Sequence, residues 1–237
     1  MIQKYLISIL KLPGFKQISF FILNKIKIFS MEFAKRADKN LVRPRTWSNN
    51  ELRKFSHLFE GDIINVSGWR DEDKEGSKYK DYFVNSDNYY ISNYYGNQGY
   101  QNQDNEILLD LEKKIDIKYF DKFDVVFNHT VLEHVFNIEQ AINNLCNISK
   151  NVVILVTPFI QQEHYIENAY NDYWRPTTQA LNKILKNNGF DIIYQSSNDN
   201  NWYHVYIFTI AVKNKESINN IDKQLIDYYV GNKMFKS

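Results

Sequence analysis

The chain has 237 residues, of which 43% are hydrophobic and 16% aromatic, enough for one domain with a substantial core and some appendages. A formal net charge of +1 gives no general electrostatic attraction to nucleic acid or to an anionic membrane, so no nucleic-acid partner is expected. The single cysteine, Cys146, excludes an intrachain disulfide and is typical of a protein in the reducing cytoplasm.

Residues 1–45 combine apolar and basic side chains, because lysines interrupt the Ile, Leu and Phe residues throughout. No apolar run approaches the roughly 20 residues that a spanning helix needs, and no signal-peptide cleavage site follows. Two interpretations stay open for this extension. Two short helices, broken near Pro13 and Gly14, could pack on the main domain or cover its ligand cleft. Alternatively, a basic helix could lie at a membrane surface as a peripheral contact.

From residue 46 onward, short apolar runs end at polar or turn-forming residues, as buried strands do. The most strand-like run, residues 151–157, is expected to be a central parallel strand that stops at Pro158. Another strand begins at Phe123 and ends at Asn128 and His129. The other predicted strands are residues 62–67, 88–93, 106–111, 190–195 and 203–212, of which the last two form a hairpin.

Helix signals separate these strands. Ser48 and Glu51, three residues apart, form a capping-box signature for a helix that ends near residue 59. The other predicted helices are one capped by Asn137 and Gln140, one over residues 177–187, and one over residues 217–230 within the C-terminal segment 214–237. This order of elements predicts an α/β fold for residues 46–213, a doubly wound, mostly parallel sheet of about seven strands with a C-terminal antiparallel hairpin.

Several strings resemble the class I S-adenosylmethionine (SAM)-dependent methyltransferases over about residues 48–213. FDVVFNHTVLEHVFNIEQAINNL resembles the family's fourth-strand region, ILLDLEKK its third-strand acidic motif, and VILVTPF its fifth strand. HYIENAYNDYWRPTTQALNKILKNNGF resembles a segment of methyltransferases that act on small molecules and surface glycans. The resemblance implies a methyltransferase-like fold and SAM as the cofactor.

The resemblance also implies roles for residues that follow the strands. The family's third-strand acid meets the adenine, so Asp110 would accept its exocyclic amine while Leu111 lines the ring. Asn128 and His129 would contact the methionine part of the cofactor. The other implied cofactor residues are Asn65, Ser67, Gly68, Trp69, Ser92 and Asn93. The alternatives are a solvated strand-end carboxylate for Asp110 and helix capping for Asn128 and His129.

The sequence departs from the family pattern after its first two strands. Asn65 stands where the family has an acid, and Trp69 follows Gly68 where a Gly-x-Gly turn is usual. The acid that usually holds the ribose is also absent, and Ser92-Asn93 can make only uncharged hydrogen bonds there. The acidic run Asp71, Glu72, Asp73 and Glu75 could substitute for these acids, or could be a solvated loop.

The excursion after the fifth strand, where the family forms its acceptor site, supplies the predicted catalytic residues. His164 is the candidate base for an acceptor hydroxyl. Tyr173, with Trp174 beside it, would suit a sugar face, and Arg175 a phosphate. His129 and Glu133, four residues apart, could in principle hold a metal, but no third ligand at matched spacing is evident, so no metal site is predicted.

These patterns favour a SAM-dependent methyltransferase that methylates an oxygen of a small sugar or phosphorylated intermediate in surface (capsular) polysaccharide biosynthesis. A degenerate methyltransferase-like domain that binds a ligand or a partner enzyme is the alternative, and the weakened first and second motifs favour it. A different nucleotide-dependent transferase is less compatible with the sequence, because no phosphate-binding glycine loop follows the first strand.

Overall fold

A computed structural model describes residues 14–37, 43–96, 99–167, 170–198 and 205–214. The chain divides into two compact units, Met1–Val42 and Arg43–Ser237. Helix α1, Phe15–Ala37, belongs to the first unit. Its large apolar side chains are exposed, Phe21 by 63% and Phe29 by 75%. Within the described part of the chain, no helix is long and apolar enough to cross a membrane.

The second unit contains the sheet and the helices that cover it. The strands are β1 (Gly61–Val66), β2 (Ser86–Asn93), β3 (Glu106–Leu108), β4 (Phe123–His129), β5 (Ser149–Ile160), β6 (Asp191–Ser197) and β7 (Val205–Val212). The helices are α2 (Pro44–Phe55), α3 (Ile138–Ile148) and α4 (Thr178–Asn187). Short 3-10 turns at Tyr79–Tyr82 and Leu132–His134 follow β1 and β4 in the chain.

The seven strands form one sheet in the order β3-β2-β1-β4-β5-β7-β6. The pairs among β1 to β5 are parallel, and β7 runs antiparallel to both β5 and β6. This confirms the predicted doubly wound α/β fold with its C-terminal antiparallel hairpin. The chain reverses direction across the sheet between β1 and β4, and open α/β sheets bind ligands at such a switch point, beyond the carboxyl ends of the strands.

Helices cover both faces of the sheet, because the central strands β1, β4, β5 and β7 bury apolar side chains on both sides. Helices α3 and α4 pack on one face, where Val126 of β4 meets Leu145 and Leu181. Helix α2 packs on the other face, where Phe127 of β4 lies in one cluster with Leu52 and Phe208. Cys146, on the buried side of α3, has the pKa of its thiol raised to about 12 by burial, which makes it a poor nucleophile.

Several predicted boundaries were wrong, and two of them have a clear physical reason. Helix α2 begins at Pro44 instead of Ser48, because a proline in the first turn already has the helical φ and needs no N–H partner. Glu51 forms no capping box, since its carboxylate accepts a hydrogen bond from the Tyr194 hydroxyl. Strand β5 continues through Pro158 to Ile160, because the antiparallel strand β7 pairs with this extension.

Of the other local predictions, a helix cap was confirmed, a strand is shorter than predicted, and one helix lies outside the described residues. The Asn137 side chain caps α3 by accepting a hydrogen bond from the backbone N–H of Gln140. Gly189 ends α4 in the left-handed region, with φ at 78°. Strand β3 ends at Leu108, so Asp110 lies in the turn after it. The predicted C-terminal helix 217–230 lies outside the described residues.

Candidate active site

A cleft of about 740 Å3 opens at the carboxyl edge of the sheet, bounded by the segments that follow β1 to β5. This volume falls within the range of small-molecule sites, about 300–1,000 Å3. The structure brings these predicted site residues together in its lining: Asn65, Ser67, Gly68, Trp69, Asn93, Asp110, Leu111, His129 and His164. Four others, Ser92, Asn128, Tyr173 and Arg175, do not line it.

The turn after β1 is strained and tightly packed. Ser67, Trp69 and Asp71 have φ values of 58°, 48° and 61°, in the left-handed region that side chains other than glycine rarely adopt. A Cβ on Gly68 would lie 2.5 Å from Nδ2 of Asn65, so this position tolerates only glycine. Asn93 holds the turn from β2, since its Oδ1 accepts from the Trp69 N–H at 2.8 Å and its Nδ2 donates to the Trp69 carbonyl at 3.2 Å.

Asn65 replaces the first-strand acid but lies beside another carboxylate. Its Nδ2 donates to Oδ1 of Asp71 at 2.7 Å. Asp71 is 1% exposed and also accepts hydrogen bonds from the Lys80 N–H and the Tyr89 hydroxyl. Burial raises the pKa of Asp71, and these hydrogen bonds oppose that rise. Asp71 therefore braces the turn instead of facing the cleft.

The rest of the acidic run is divided between core and surface. Asp73 is fully buried and accepts hydrogen bonds from the Tyr82 hydroxyl and two backbone N–H groups. Glu75 accepts from the Asn49 side chain. Only Glu72 among the four acids lines the cleft. The run is thus mainly structural, and one of its members is placed to meet a ligand.

Ser92 and Asn128 are fully buried beneath the cleft. Oγ of Ser92 accepts from the Ser67 N–H at 3.3 Å, and Nδ2 of Asn128 donates to the Val66 carbonyl at 2.9 Å. Both side chains join neighbouring strand ends to the turn after β1. They can influence a cofactor through that turn, and their direct contact with it stays a prediction.

Asp110 lines the cleft between Leu109 and Leu111, which are both buried. Its Oδ1 accepts from the Glu112 N–H at 3.0 Å, and its Oδ2 lies 3.1 Å from Nζ of Lys113. The side chain remains 23% exposed. Asp110 therefore stabilises its own turn while keeping access to a ligand beside two apolar residues.

Arg45, in the first turn of α2, is a cleft residue that the sequence analysis missed. Its guanidinium donates to the Tyr79 hydroxyl at 3.1 Å, to Nδ1 of His129 at 3.2 Å and to Oγ1 of Thr130 at 2.8 Å. Among the described residues, no carboxylate lies within ion-pair distance of it. A partly buried cation without an acidic partner in a ligand cleft is a candidate anion site.

His129 has both ring nitrogens occupied. Because Arg45 can only donate, Nδ1 of His129 must accept, and Nε2 carries the proton toward Oγ of Ser48 at 2.8 Å. Burial, together with the charge of Arg45, lowers the pKa of His129 well below its usual range. The residue is thus a neutral brace for Arg45. Thr130, next in the chain, has φ at 51°, a strained value for a β-branched residue.

A second group lies at the β4 and β5 end of the cleft, and of its three members the sequence analysis had predicted only His164 as a site residue. Glu133 and His134 belong to the 3-10 turn after β4, and His164 comes from the excursion after β5. One donor atom from each of the three lies within 4.8 Å of the others. Glu133 is 1% exposed, and burial raises its pKa to about 8. Neither of its carboxylate oxygens has a hydrogen-bond partner among the described residues.

The excursion is fixed by the residues predicted to contact the acceptor. Arg175 donates to both carboxylate oxygens of Asp172 at 2.6 Å and to the carbonyls of Gln161 and Gln162. Asp172 in turn lies 3.2 Å from Nδ1 of His164. Although burial alone would raise it, the hydrogen bonds from Arg175 lower the pKa of Asp172 to about 2, so it is ionised. Arg175 therefore positions His164 indirectly, through Asp172.

Tyr173 and Trp174 attach the excursion to the turn after β4. Their backbone N–H groups both point to the Glu133 carbonyl, at 2.7 and 3.3 Å. Nε1 of Trp174 donates to the carbonyl of Phe136, and the Tyr173 ring packs against that phenylalanine at a centroid distance of 5.2 Å. These contacts hold the excursion that carries His164 against the turn that carries Glu133.

The strand order arranges these groups along the sheet edge. Asp110 follows β3, Gly68 follows β1, Glu133 follows β4 and His164 follows β5. Four inter-strand spacings separate β3 from β5, or about 19 Å. The cleft thus has a Leu-flanked acidic end, a central cation at Arg45 and a histidine-rich end.

Comparison with solved structures finds methyltransferases. Magnesium protoporphyrin IX methyltransferase from Synechocystis PCC 6803 with bound SAM is 18% identical, with a TM-score of 0.47, covering 72% of this chain and 79% of that one. The 1,6-didemethyltoxoflavin-N1-methyltransferase of Burkholderia thailandensis, with bound substrate and S-adenosylhomocysteine, is 10% identical, with a TM-score of 0.48, covering 85% of this chain and 91% of that one. No protein-family model and no curated protein matches the sequence. The fold is therefore assigned from the sheet order itself.

Proposed function

We propose that the protein is a SAM-dependent methyltransferase acting on an oxygen of a small polar acceptor, a sugar or phosphorylated intermediate of surface (capsular) polysaccharide synthesis. One observation carries the proposal. A single cleft at the switch point of the sheet joins Asp110, the turn at Gly68, the unpaired Arg45 and the histidine-rich end. The acceptor class rests on the sequence resemblance alone.

The cleft residues fit the chemical groups of SAM. Asp110, with Leu109 and Leu111, suits an adenine with its exocyclic amine and apolar ring faces. Arg45 suits the carboxylate of the methionine part, because a guanidinium pairs with carboxylates through charge-assisted hydrogen bonds. Trp69 lines the cleft between them, and its buried indole N–H has no partner among the described residues, so it can donate to a ligand. At the end of β2, Asn93 stands where the family has the ribose acid, and its side chain is already bonded to Trp69 and Glu106.

The histidine-rich end would receive the acceptor. SAM, when bound, supplies an electrophilic methyl group whose carbon–sulfur bond breaks as the new carbon–oxygen bond forms. The acceptor hydroxyl must lose its proton, and His164, held by Asp172 and Arg175, is the predicted group to take it. Positioning in a cleft walled by Tyr170 and Tyr206 would supply much of the remaining acceleration.

The proposal is tested by offering the purified protein methyl-labelled SAM with a panel of sugars, sugar phosphates and nucleotide sugars. The expected result is release of S-adenosylhomocysteine together with an acceptor that carries one added methyl group, identified by mass spectrometry. Binding of SAM without transfer to any panel member would instead favour the degenerate binding domain. The observation that favours this alternative is that the uncharged Asn65 and Asn93 stand where the family has acidic side chains.

We also propose that α1 makes a peripheral contact with anionic membranes. Apolar side chains such as Phe21 and Phe29 are exposed on it, with Lys25 and Lys27 between them. Replacing Phe21 and Phe29 by aspartate is expected to reduce co-sedimentation with anionic vesicles to the level seen with neutral ones. Val84→Asp, at a position 70% exposed and outside α1, is the matched control. Equal sedimentation of both variants would refute the contact.

A further inference from the structure

We propose that Glu133, His134 and His164 bind a divalent metal ion at the histidine-rich end of the cleft. The ion's catalytic role rests on the proposed methyltransferase function, whereas its binding does not. Two histidines and one carboxylate that leave further coordination positions open are a known donor set for catalytic zinc and for non-haem iron. The sequence analysis had paired Glu133 with His129 instead, but His129 is committed to Arg45 and Ser48.

The distances suit a metal ion after a small closure. Nε2 of His134 lies 3.7 Å from Oε1 of Glu133. Ligand atoms about 2.1 Å from a tetrahedral ion are roughly 3.4 Å from one another. The whole set of three donor atoms lies within 4.8 Å, so the widest pair would have to approach by up to about 1.4 Å. His164, 37% exposed against 18% for His134 and 1% for Glu133, has the most room for this shift.

Glu133 is the strongest reason to place an ion here. Its side chain is 1% exposed, yet both carboxylate oxygens lack a hydrogen-bond partner among the described residues. Burying a carboxylate without a partner is costly, and natural proteins rarely leave one so. A cation bound between Glu133 and the two histidines would supply the missing partner.

The groups behind the histidines are those that orient metal ligands. Nδ1 of His134 lies 2.5 Å from the Asn171 carbonyl and must donate to it, which leaves Nε2 with its lone pair toward Glu133. Nδ1 of His164 lies 3.2 Å from the ionised Asp172 and 3.3 Å from Nε2 of Gln161, whose buried Oε1 has no partner among the described residues. Turning the Gln161 amide over lets Nδ1 donate to both oxygens and leaves Nε2 of His164 as the ligand atom. Arg175 fixes Asp172 in turn. Carbonyl–histidine and carboxylate–histidine pairs of this kind set the tautomer and increase ligand basicity.

The donor set also selects the ion. Imidazole nitrogens suit Zn2+, Co2+, Mn2+ or Fe2+, whereas Mg2+ and Ca2+ prefer oxygen ligands. Such an ion would act as a Lewis acid on the acceptor oxygen and lower the pKa of its hydroxyl. With its Nε2 on the ion, His164 would not also take the acceptor proton, which would pass to solvent once the ion has lowered the pKa of the hydroxyl.

Binding is tested with the purified, tag-free full chain, stripped of metal and titrated with Co2+ and Zn2+ by visible absorbance and calorimetry. One ion per chain is expected, with visible Co2+ bands typical of mixed nitrogen and oxygen ligation. Glu133→Gln and His164→Ala should each weaken binding at least about 100-fold. Asp172→Asn changes the carboxylate behind His164 and not a ligand, and should weaken metal binding about 10- to 100-fold. His57→Ala, at an exposed histidine outside the cleft, and Glu72→Gln, at a cleft carboxylate outside the cluster, should leave it unchanged.

Failure of the wild-type protein to bind either ion would overturn the proposal. Wild-type metal affinity in Glu133→Gln and His164→Ala would also overturn it, provided that both variants unfold at the wild-type temperature. Glu133→Gln keeps the shape of the side chain and the neutral form that burial favours, so it is expected to fold. A separate titration with SAM in the presence of chelator reports on the cofactor alone. Loss of that signal would count against the methyltransferase assignment without bearing on the metal site.

Discussion

Replacing His164 by alanine is expected to lower methyl transfer at least about 100-fold while leaving the affinity for SAM unchanged. His164 lies at the β5 end of the cleft, about four strand spacings from Asp110, so its loss should not disturb the adenine end. Its side chain is 37% exposed and is held by Asp172 at 3.2 Å, so truncation should cost little stability. The same loss of turnover is expected whether His164 accepts the proton itself or holds a metal ion.

The measurement is kcat for the acceptor found in the labelled-methyl assay, together with a calorimetric Kd for SAM. Tyr165→Ala, at an exposed neighbour in the same excursion, is the control for a general effect on that segment. An undiminished rate in His164→Ala would remove this histidine from the mechanism. A changed Kd for SAM with an unchanged rate would place it at the cofactor instead.

Replacing Arg45 by methionine is expected to weaken the binding of SAM and S-adenosylhomocysteine about 10- to 100-fold, since a hydrogen bond to a charged group contributes about 1.5–3 kcal/mol. Arg45 is the cleft cation that has no acidic partner among the described residues. Its three acceptors, on Tyr79, His129 and Thr130, hold the guanidinium in place before any ligand arrives. A preorganised donor of this kind needs little ordering when a carboxylate binds.

Two further variants separate binding from folding. Arg45→Lys keeps the charge but not the planar fork, so part of the affinity should return. Arg70→Met removes an exposed arginine that stacks over Trp69 and should leave the affinity unchanged. Wild-type affinity in a folded Arg45→Met variant would show that the methionine carboxylate binds elsewhere.

The fold was predictable because its signals are local. The run through β4 and β5 is buried on both faces of the sheet, so it appears in sequence as continuous apolar residues. The caps at Asn137 and Gly189 act within a few residues of themselves. The start of α2 was missed because a capping-box pattern at Ser48 competed with the proline signal at Pro44. The helix begins at the proline.

The candidate site was less predictable because its contacts span the chain. Arg45 meets His129 across 84 positions, and His134 meets Asn171 across 37. No spacing in the sequence marks such pairs. A weak signal for Arg45 did exist, since a basic residue in the first turn of a helix opposes the helix dipole and needs a compensating role.

The substitution at Asn65 shows a different limit of the sequence. An amide in place of the usual strand acid suggests a lost function, yet the structure places the carboxylate of Asp71 against that amide at 2.7 Å. This carboxylate lies six positions further along the chain, at Asp71, and it stabilises the turn at Gly68.

Calorimetric titration of the purified full chain with SAM and with S-adenosylhomocysteine, repeated on Asp110→Ala, tests the central proposal most directly. The expected result is one binding site per chain for both ligands, with affinity reduced at least about tenfold by the substitution, since a buried ligand amine loses its acceptor. Absence of binding by the wild-type protein up to about 1 mM, equivalent to a binding free energy weaker than roughly −4 kcal/mol, would contradict the methyltransferase assignment.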